Sequence, residues 1–200
     1  MRSLWIFIIL AAVFFTGCSP RDFLTRHLAT DLIAGSDTFK TPQQFWLRLG
    51  IISQTDFTSP EYQVLAHHGW ITGSKAVCEG GVNPPPCWDV TLSPVGVDTF
   101  RELMDKNAAT SSYFSVPATS RELVEVTGIS KNGNMAEVDF VWKWAPLNEV
   151  GAALYSDAVS YTSTVAFKHY DDGWRILERT DAKGNQGLED ALKNSKAAQL

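Results

Sequence analysis

Two dipeptides that favour tight hairpins organise the second half of this chain, Asn132-Gly133 and Asp172-Gly173. Both pairs suit a two-residue turn, because glycine readily adopts the positive φ that such turns require. The predicted strands that flank these turns in pairs are 123–129, 136–144, 161–170 and 174–179. The sequence therefore predicts an antiparallel meander of at least four strands over 121–180.

Alternation of apolar and polar residues supports these strands. Val138, Phe140 and Trp142 occupy every second position of one predicted strand, and Glu137 and Asp139 lie between them. Because neighbouring residues of a strand point to opposite faces, we expect one face of the sheet to be buried and the other to be mostly polar. The insertion at 146–160 is too long for a usual hairpin loop, which favours a short helix or a flap.

Helix signals precede the sheet. Thr41-Pro42 and Ser59-Pro60 each combine a capping residue with proline at the first helical position. The first pair predicts a helix whose apolar stripe contains Phe45, Trp46, Leu49 and Ile52. The second pair opens a helix–hairpin–helix section over 60–105, in which Gly69 ends the first helix.

These segments define the domain organisation. Helices followed by an antiparallel sheet predict an α+β globular domain over 41–180. A tether and a weak helix at 18–40 precede it. A polar tail at 181–200 follows, which we expect to be mobile, with a short helix beginning at Leu188.

Cys78 and Cys87 enclose a ten-residue loop that is rich in glycine and proline. Such a loop forms no regular structure, and a disulfide would stabilise it by roughly 2–3 kcal/mol in the chain-entropy model. A two-cysteine metal site is the alternative, but no histidine lies inside the loop and four ligands cannot be assembled locally. We therefore predict a disulfide and no metal site.

The N-terminus carries a targeting signal. Arg2 precedes an uninterrupted apolar run from Leu4 to Phe15, which as a helix rises only about 18 Å and is too short to cross a bilayer. A basic start, an apolar middle and small residues afterwards are typical of a secretory signal peptide. Phe15-Thr16-Gly17-Cys18 resembles the lipobox of bacterial lipoprotein precursors, although phenylalanine stands where leucine is most common.

This resemblance covers 1–18 and carries specific expectations. It implies that residues 1–17 are a signal peptide and that Cys18 becomes the acylated first residue of the mature chain. The alternatives are an ordinary cleaved signal peptide or an uncleaved anchor helix, in which Cys18 has no special role. Ser19 after the cysteine implies the outer membrane, facing the periplasm, in a cell with two membranes. The expected partner is then a lipid bilayer, and the oxidising compartment favours the Cys78–Cys87 bridge.

Two further resemblances concern the fold. Gly69-Trp70-Ile71 and the segment Leu92-Ser93-Pro94-Val95-Gly96 are similar to the end of winged-helix domains, where a helix, a hairpin wing and a second helix follow one another. The long closing meander is similar in architecture to cone-shaped domains of the nuclear-transport-factor-2 type. Neither resemblance by itself implies a function.

Charge and motifs restrict the function. The chain has 17 Lys and Arg against 22 Asp and Glu, a net charge of −5, and export of an acidic protein excludes general nucleic-acid binding. The sequence contains no catalytic or cofactor-binding motif, so we assign no catalytic residue and no cofactor. His169 is a candidate base in a sheet-lined pocket, with Asp139 or Asp171 as its partner.

The candidate pocket walls are aromatic. A ligand would contact the following residues: Phe140, Trp142, Trp144, His169 and Trp174. Tryptophans at alternate strand positions are more often core residues than ligand platforms. The sequence thus favours a cell-envelope lipoprotein that presents a structural or binding domain to an envelope protein or an apolar small molecule. The alternative is a small hydrolase or isomerase that uses His169 in a pocket on the concave sheet face.

Overall fold

The computed structural model describes residues 23–78, 85–103 and 113–198, and it confirms the α+β class. The helices are α1 (Arg26–Gly35), α2 (Asp37–Lys40), α3 (Gln54–Phe57), α4 (Pro60–His67), α5 (Pro94–Phe100), α6 (Glu149–Leu154) and α7 (Leu188–Lys193). The strands are β1 (Gln43–Arg48), β2 (Gly50–Ser53), β3 (Ile71–Val77), β4 (Pro86–Leu92), β5 (Tyr113–Asn132), β6 (Met135–Pro146), β7 (Ser160–Tyr170), β8 (Gly173–Ile176) and β9 (Lys196–Ala197). The predicted signal peptide, Cys18 and the hairpin tip at 79–84 lie outside the described residues.

The predicted meander is present as a larger sheet. Its strand order is β1-β5-β6-β7-β8, and β9 pairs with β7. Gly133, at φ +61°, lies in the turn between β5 and β6 as predicted, whereas Gly173, at φ +127°, is the first residue of β8, so the second predicted turn is wrong by one residue. In the second hairpin Tyr170 pairs with Gly173, which leaves Asp171 and Asp172 as the two turn residues.

A second sheet of three strands has the order β2-β4-β3, and both of its strand pairs are antiparallel. It contains the predicted disulfide, which is confirmed: Cys78 and Cys87 are bonded, with their Cα atoms 5.5 Å apart. Helices α4 and α5 flank the β3–β4 hairpin in the chain, in the order that the winged-helix resemblance implies. Helix α5 ends at Phe100.

The chain divides into two compact units. The first unit contains the described residues 23–34, 125–141 and 162–196, and the second contains the described residues from 35–124, 142–161 and 197–198. The core of the second unit includes these fully buried side chains: Leu47, Ile52, Leu65, Val90, Phe100, Val116 and Val150. The buried apolar residues of the first unit include Ala29, Ile33, Val138, Phe140, Val165, Phe167 and Leu188.

The helix predicted from Thr41 is wrong, because this segment forms β1 and β2. Phe45 and Leu47 are buried whereas Trp46 between them is 61% exposed, which is the period of a strand. Phe45 pairs with Val116 of β5, and only Leu49 separates β1 from β2, which begins at Gly50 with φ +82°. The apolar residues fit a helical stripe as well, and pairing with β5 decides between the two patterns.

Two other segments gain definite structure. The insertion at 146–160 contains a short helix, α6, as one of its two expected forms. The segment 181–200, expected to be a mobile tail, instead carries α7 and β9 over its described part. Leu188, Ala191 and Leu192 recur at helical spacing and are buried, so they form an apolar face of α7. The mostly polar composition of the segment had suggested that it would not pack.

Within the described residues, no helix has both the length and the apolar character needed to cross a bilayer.

Gly96 provides a test of the packing in the second unit. A Cβ atom at this position would lie 1.8 Å from the carbonyl oxygen of Trp70, so the first turn of α5 has no room for a side chain. We expect Gly96→Ala to lower the free energy of unfolding by about 2–3 kcal/mol, measured by urea denaturation. Gly35→Ala is the matched control, because nothing lies within 4 Å of its Cβ position. Equal losses in the two variants would contradict this packing.

Candidate functional site

Of the three cavities described within residues 23–78, 85–103 and 113–198, none is lined by all five predicted pocket residues. Phe140, His169 and Trp174 belong to the first unit, whereas Trp142 and Trp144 belong to the second. Phe140 lines one cavity and His169 lines another.

The two tryptophans pack against a cation from their own chain. The Arg121 guanidinium lies 5.0 Å from the ring centre of Trp144 and 5.9 Å from that of Trp142, within cation–π range of both. Its Nη1 donates a 2.8 Å hydrogen bond to the carbonyl oxygen of Thr38, and its Nε is buried without a hydrogen-bond partner. Burial lowers the pKa of Arg121 from its ordinary value, and Tyr155 opposes this effect.

Other aromatic rings complete this cluster. Trp142 stacks on Tyr161 at 4.8 Å between ring centres, and Trp144 packs against Tyr155 at 5.3 Å. Because Arg121 and the two tyrosines pack against the tryptophan rings, the pair acts as packing and not as an open ligand platform. Arg121 belongs to β5 but precedes the predicted strand 123–129. The alternation of apolar and polar residues in that strand therefore could not predict that Arg121 packs against the tryptophans.

His169 lines a cavity of about 470 Å³ at the β7–β8 hairpin, together with Asp171, Asp172 and Arg175. Arg175 donates a hydrogen bond from Nη2 to Oδ2 of Asp172, and this bond is the main reason that the pKa of Asp172 is lowered. The His169 ring packs against Trp174 at 5.0 Å, and its Nε2 is buried with no hydrogen-bond partner. A buried Nε2 cannot exchange a proton with a molecule in this cavity, which leaves Nδ1 as the ring nitrogen of His169 for such a role.

The largest of the three cavities described for the first unit has a volume of about 530 Å³, and its wall is mostly polar. Its lining residues are Thr127, Asp139, Phe140, Thr162, Ser163, Thr164, Gln186, Ala191, Asn194 and Lys196. A third cavity, of about 430 Å³, includes Glu137 and Lys183 in its wall. Neither Trp142 nor Trp144 lines any of the three. We refer to the 530 Å³ cavity as the Asp139 cavity.

Asp139 is held in position from two neighbouring strands. The Thr164 hydroxyl of β7 donates a 2.6 Å hydrogen bond to its Oδ1. On the β5 side lies Gly128, where an added Cβ would be only 2.9 Å from Oδ2. The small size of Gly128 therefore lets the carboxylate lie close to the backbone of β5. Among the described residues, no hydrogen-bond donor is assigned to Oδ2, which leaves this oxygen available to a ligand.

The segment 186–196 forms the opposite wall of the Asp139 cavity. Ser163 donates a 3.1 Å hydrogen bond to the carbonyl oxygen of Ala191, and Thr162 donates to that of Lys196. Before this segment, Thr180 donates from its backbone and its hydroxyl to the Asp190 carboxylate, at 3.0 and 2.7 Å. Sequence reasoning missed this wall because it treated the segment as a mobile tail.

The charges around the Asp139 cavity are suited to polar ligands. Asp139 and Lys196 are the charged residues of its wall, and within the described chain neither of them forms an ion pair. Hydroxyl and amide groups supply both donors and acceptors. In the same part of the chain, no group of three or more His, Cys, Asp or Glu is arranged to hold a metal ion.

No family model, no curated protein and no solved structure matches this chain. The assignment of a function therefore depends on the residues and on their geometry.

Asp190 gives the cavity wall a testable pH dependence. The hydrogen bond from the Thr180 hydroxyl is the main cause that lowers the pKa of Asp190 below its ordinary value of 3.8. This hydrogen bond therefore stabilises the folded state at pH values above 3.8. The stabilisation is lost as the pH falls through the lower pKa that Asp190 has in the folded protein. We expect Asp190→Asn to flatten the loss of stability in acid, measured by urea denaturation at several pH values. If Asp190→Asn loses stability in acid as steeply as the unchanged protein does, the proposed contribution of Asp190 is contradicted.

Proposed function

We propose that this protein is a lipid-anchored protein of the bacterial cell envelope that binds a small polar molecule in the Asp139 cavity. The N-terminal sequence carries the first part of the proposal. An apolar run of twelve residues after Arg2 ends in Thr16-Gly17-Cys18, the pattern of a lipoprotein signal peptide and its acylated cysteine. Ser19 places the proposed anchor in the outer membrane, on the periplasmic side.

The disulfide supports an exported location. Bonds of this kind persist in oxidising compartments such as the periplasm and are rare in the cytosol. Cys78 and Cys87 pair with each other in the structure, so the mature chain keeps Cys18 for acylation.

The shape and polarity of the Asp139 cavity support the binding part of the proposal. Its volume of about 530 Å³ lies within the range of small-molecule sites, roughly 300–1,000 Å³. An apolar molecule would cover Oδ2 of Asp139 and the ammonium group of Lys196 without offering either a partner, which costs binding energy. A ligand with hydroxyl or ammonium groups satisfies them, so we propose a polar ligand in place of the apolar one expected from the tryptophans.

Replacement of the anchor residue tests the location. We expect Cys18→Ser to abolish labelling by radioactive palmitate, because the thiol is the proposed site of lipid attachment. Cys78→Ser is the matched control and should leave the labelling intact. Palmitate labelling that persists in Cys18→Ser would contradict the anchor.

Replacement of the cavity carboxylate tests the binding site. The probes are glucose, N-acetylglucosamine and glycylglycine, titrated calorimetrically into the lipidated protein in bilayer nanodiscs. We expect at least one probe to bind saturably and Asp139→Asn to weaken it about tenfold or more, the weight of a charged hydrogen bond. Glu137→Gln is the matched control, since Glu137 lies two residues away on the same strand but outside this cavity.

Two results would contradict the proposed binding site. The first is the absence of saturable binding by any of the three probes at millimolar concentration. The second is an equal loss of affinity in Asp139→Asn and Glu137→Gln, because a general effect of charge on the sheet surface would then explain the change.

A further inference from the structure

The described chain begins close to the proposed anchor. Phe23 is five residues after Cys18, and five residues span at most about 18 Å even when fully extended. The side chain of Phe23 is 53% exposed, whereas that of Leu24 is only 6% exposed. The point at which the tether meets the first unit therefore lies within about 18 Å of the lipid attachment.

Residue 23 is fixed to the rest of the first unit. Helix α1 follows it and fully buries Ala29 and Ile33. Arg26 donates a 3.0 Å hydrogen bond from Nη2 to the carbonyl oxygen of Thr127 in β5. The first unit cannot move away from the anchor without breaking this packing, so the surface around Phe23 remains near the bilayer.

Two cations belong to this part of the first unit, and we call Phe23, Arg26 and Lys131 the Phe23 patch. Arg26 follows Phe23 by three residues, and its partner Thr127 precedes Lys131 by four residues in β5. The Lys131 ammonium lies 5.3 Å from the ring centre of Phe23 and 5.0 Å from that of Trp174. Arg26 and Lys131 are both exposed, and within the described residues neither has a carboxylate at ion-pair distance. Both charges are therefore available to an anionic surface.

We propose that the Phe23 patch lies against the bilayer that holds the lipid anchor. The Phe23 ring enters the boundary between headgroups and acyl chains, and Arg26 and Lys131 contact anionic headgroups. The chain as a whole is acidic, so an anionic membrane attracts it only where basic side chains such as Arg26 and Lys131 are exposed. This inference rests on the proposed function, because the tether reaches a bilayer only if Cys18 is acylated.

Photocrosslinking tests the contact. The photoreactive analogue p-benzoylphenylalanine replaces Phe23 in the lipidated protein, which is reconstituted in vesicles that contain phosphatidylglycerol. Tyr170 provides the matched control, because it is 39% exposed and has Lys168 and Arg175 beside its ring. It follows His169 in β7, and His169 pairs with Trp174, so Tyr170 points to the sheet face opposite Trp174 and Lys131. We expect phospholipid adducts from position 23 and none from position 170.

The charge contribution is tested in the same assay. We expect Lys131→Gln to reduce the adduct yield at position 23 roughly fivefold in vesicles with phosphatidylglycerol, the weight of one basic residue near an anionic surface. In vesicles of zwitterionic phosphatidylcholine, the same substitution should leave the yield unchanged.

Palmitate labelling of each sample separates this inference from the proposed function. A labelled protein that gives no lipid adduct at position 23, equal adducts at positions 23 and 170, or adducts to protein alone overturns the membrane contact and leaves the anchor standing. A protein that takes up no palmitate overturns both proposals. Lipid adducts at position 23 alone, in a labelled protein, support both.

Discussion

The register between β5 and β6 is the constraint on which the rest of the structure depends. The turn at Gly133 sets this register, and the alternation along each strand then assigns every side chain to a face. A slip of one residue would exchange Asp139 with Phe140, placing a carboxylate in the core and an aromatic ring on the polar face. The same turn thus determines both the apolar core of the first unit and the position of the carboxylate in the Asp139 cavity.

Local sequence predicted the elements whose turn chemistry and alternation agree. Gly133 and the bridge between Cys78 and Cys87 are such cases, because a turn needs a particular residue and a short loop limits where its ends can lie. The segment at 43–53 could not be predicted in this way. Its apolar residues fit a helix and a strand equally, and the choice depends on β5, which lies far away in the chain.

The candidate site was harder to predict than the fold, because it depends on contacts between residues that lie far apart in the chain. Arg121 packs against Trp142 and Trp144 through pairing of strands, and no local pattern links these three residues. Asp139 was noticed as a polar-face residue, but its role depends on Thr164 and on the absence of a side chain at Gly128. Aromatic content pointed to an apolar pocket, whereas the cavity found is lined by hydroxyls, amides and two opposite charges.

The wall of the Asp139 cavity has a consequence for the order in which this protein matures. Residues 186–196 follow β5 to β8 in the chain, so the sheet can assemble before the wall exists. The wall attaches to β7 through bonds from Ser163 and Thr162 to its backbone and through the pairing of β9, and α7 adds three buried apolar side chains. Proteolysis between Asn185 and Gln186 would therefore remove the cavity wall and also expose apolar surface that α7 covers, so one short stretch at the end of the chain both shapes the cavity and completes the packing of the first unit.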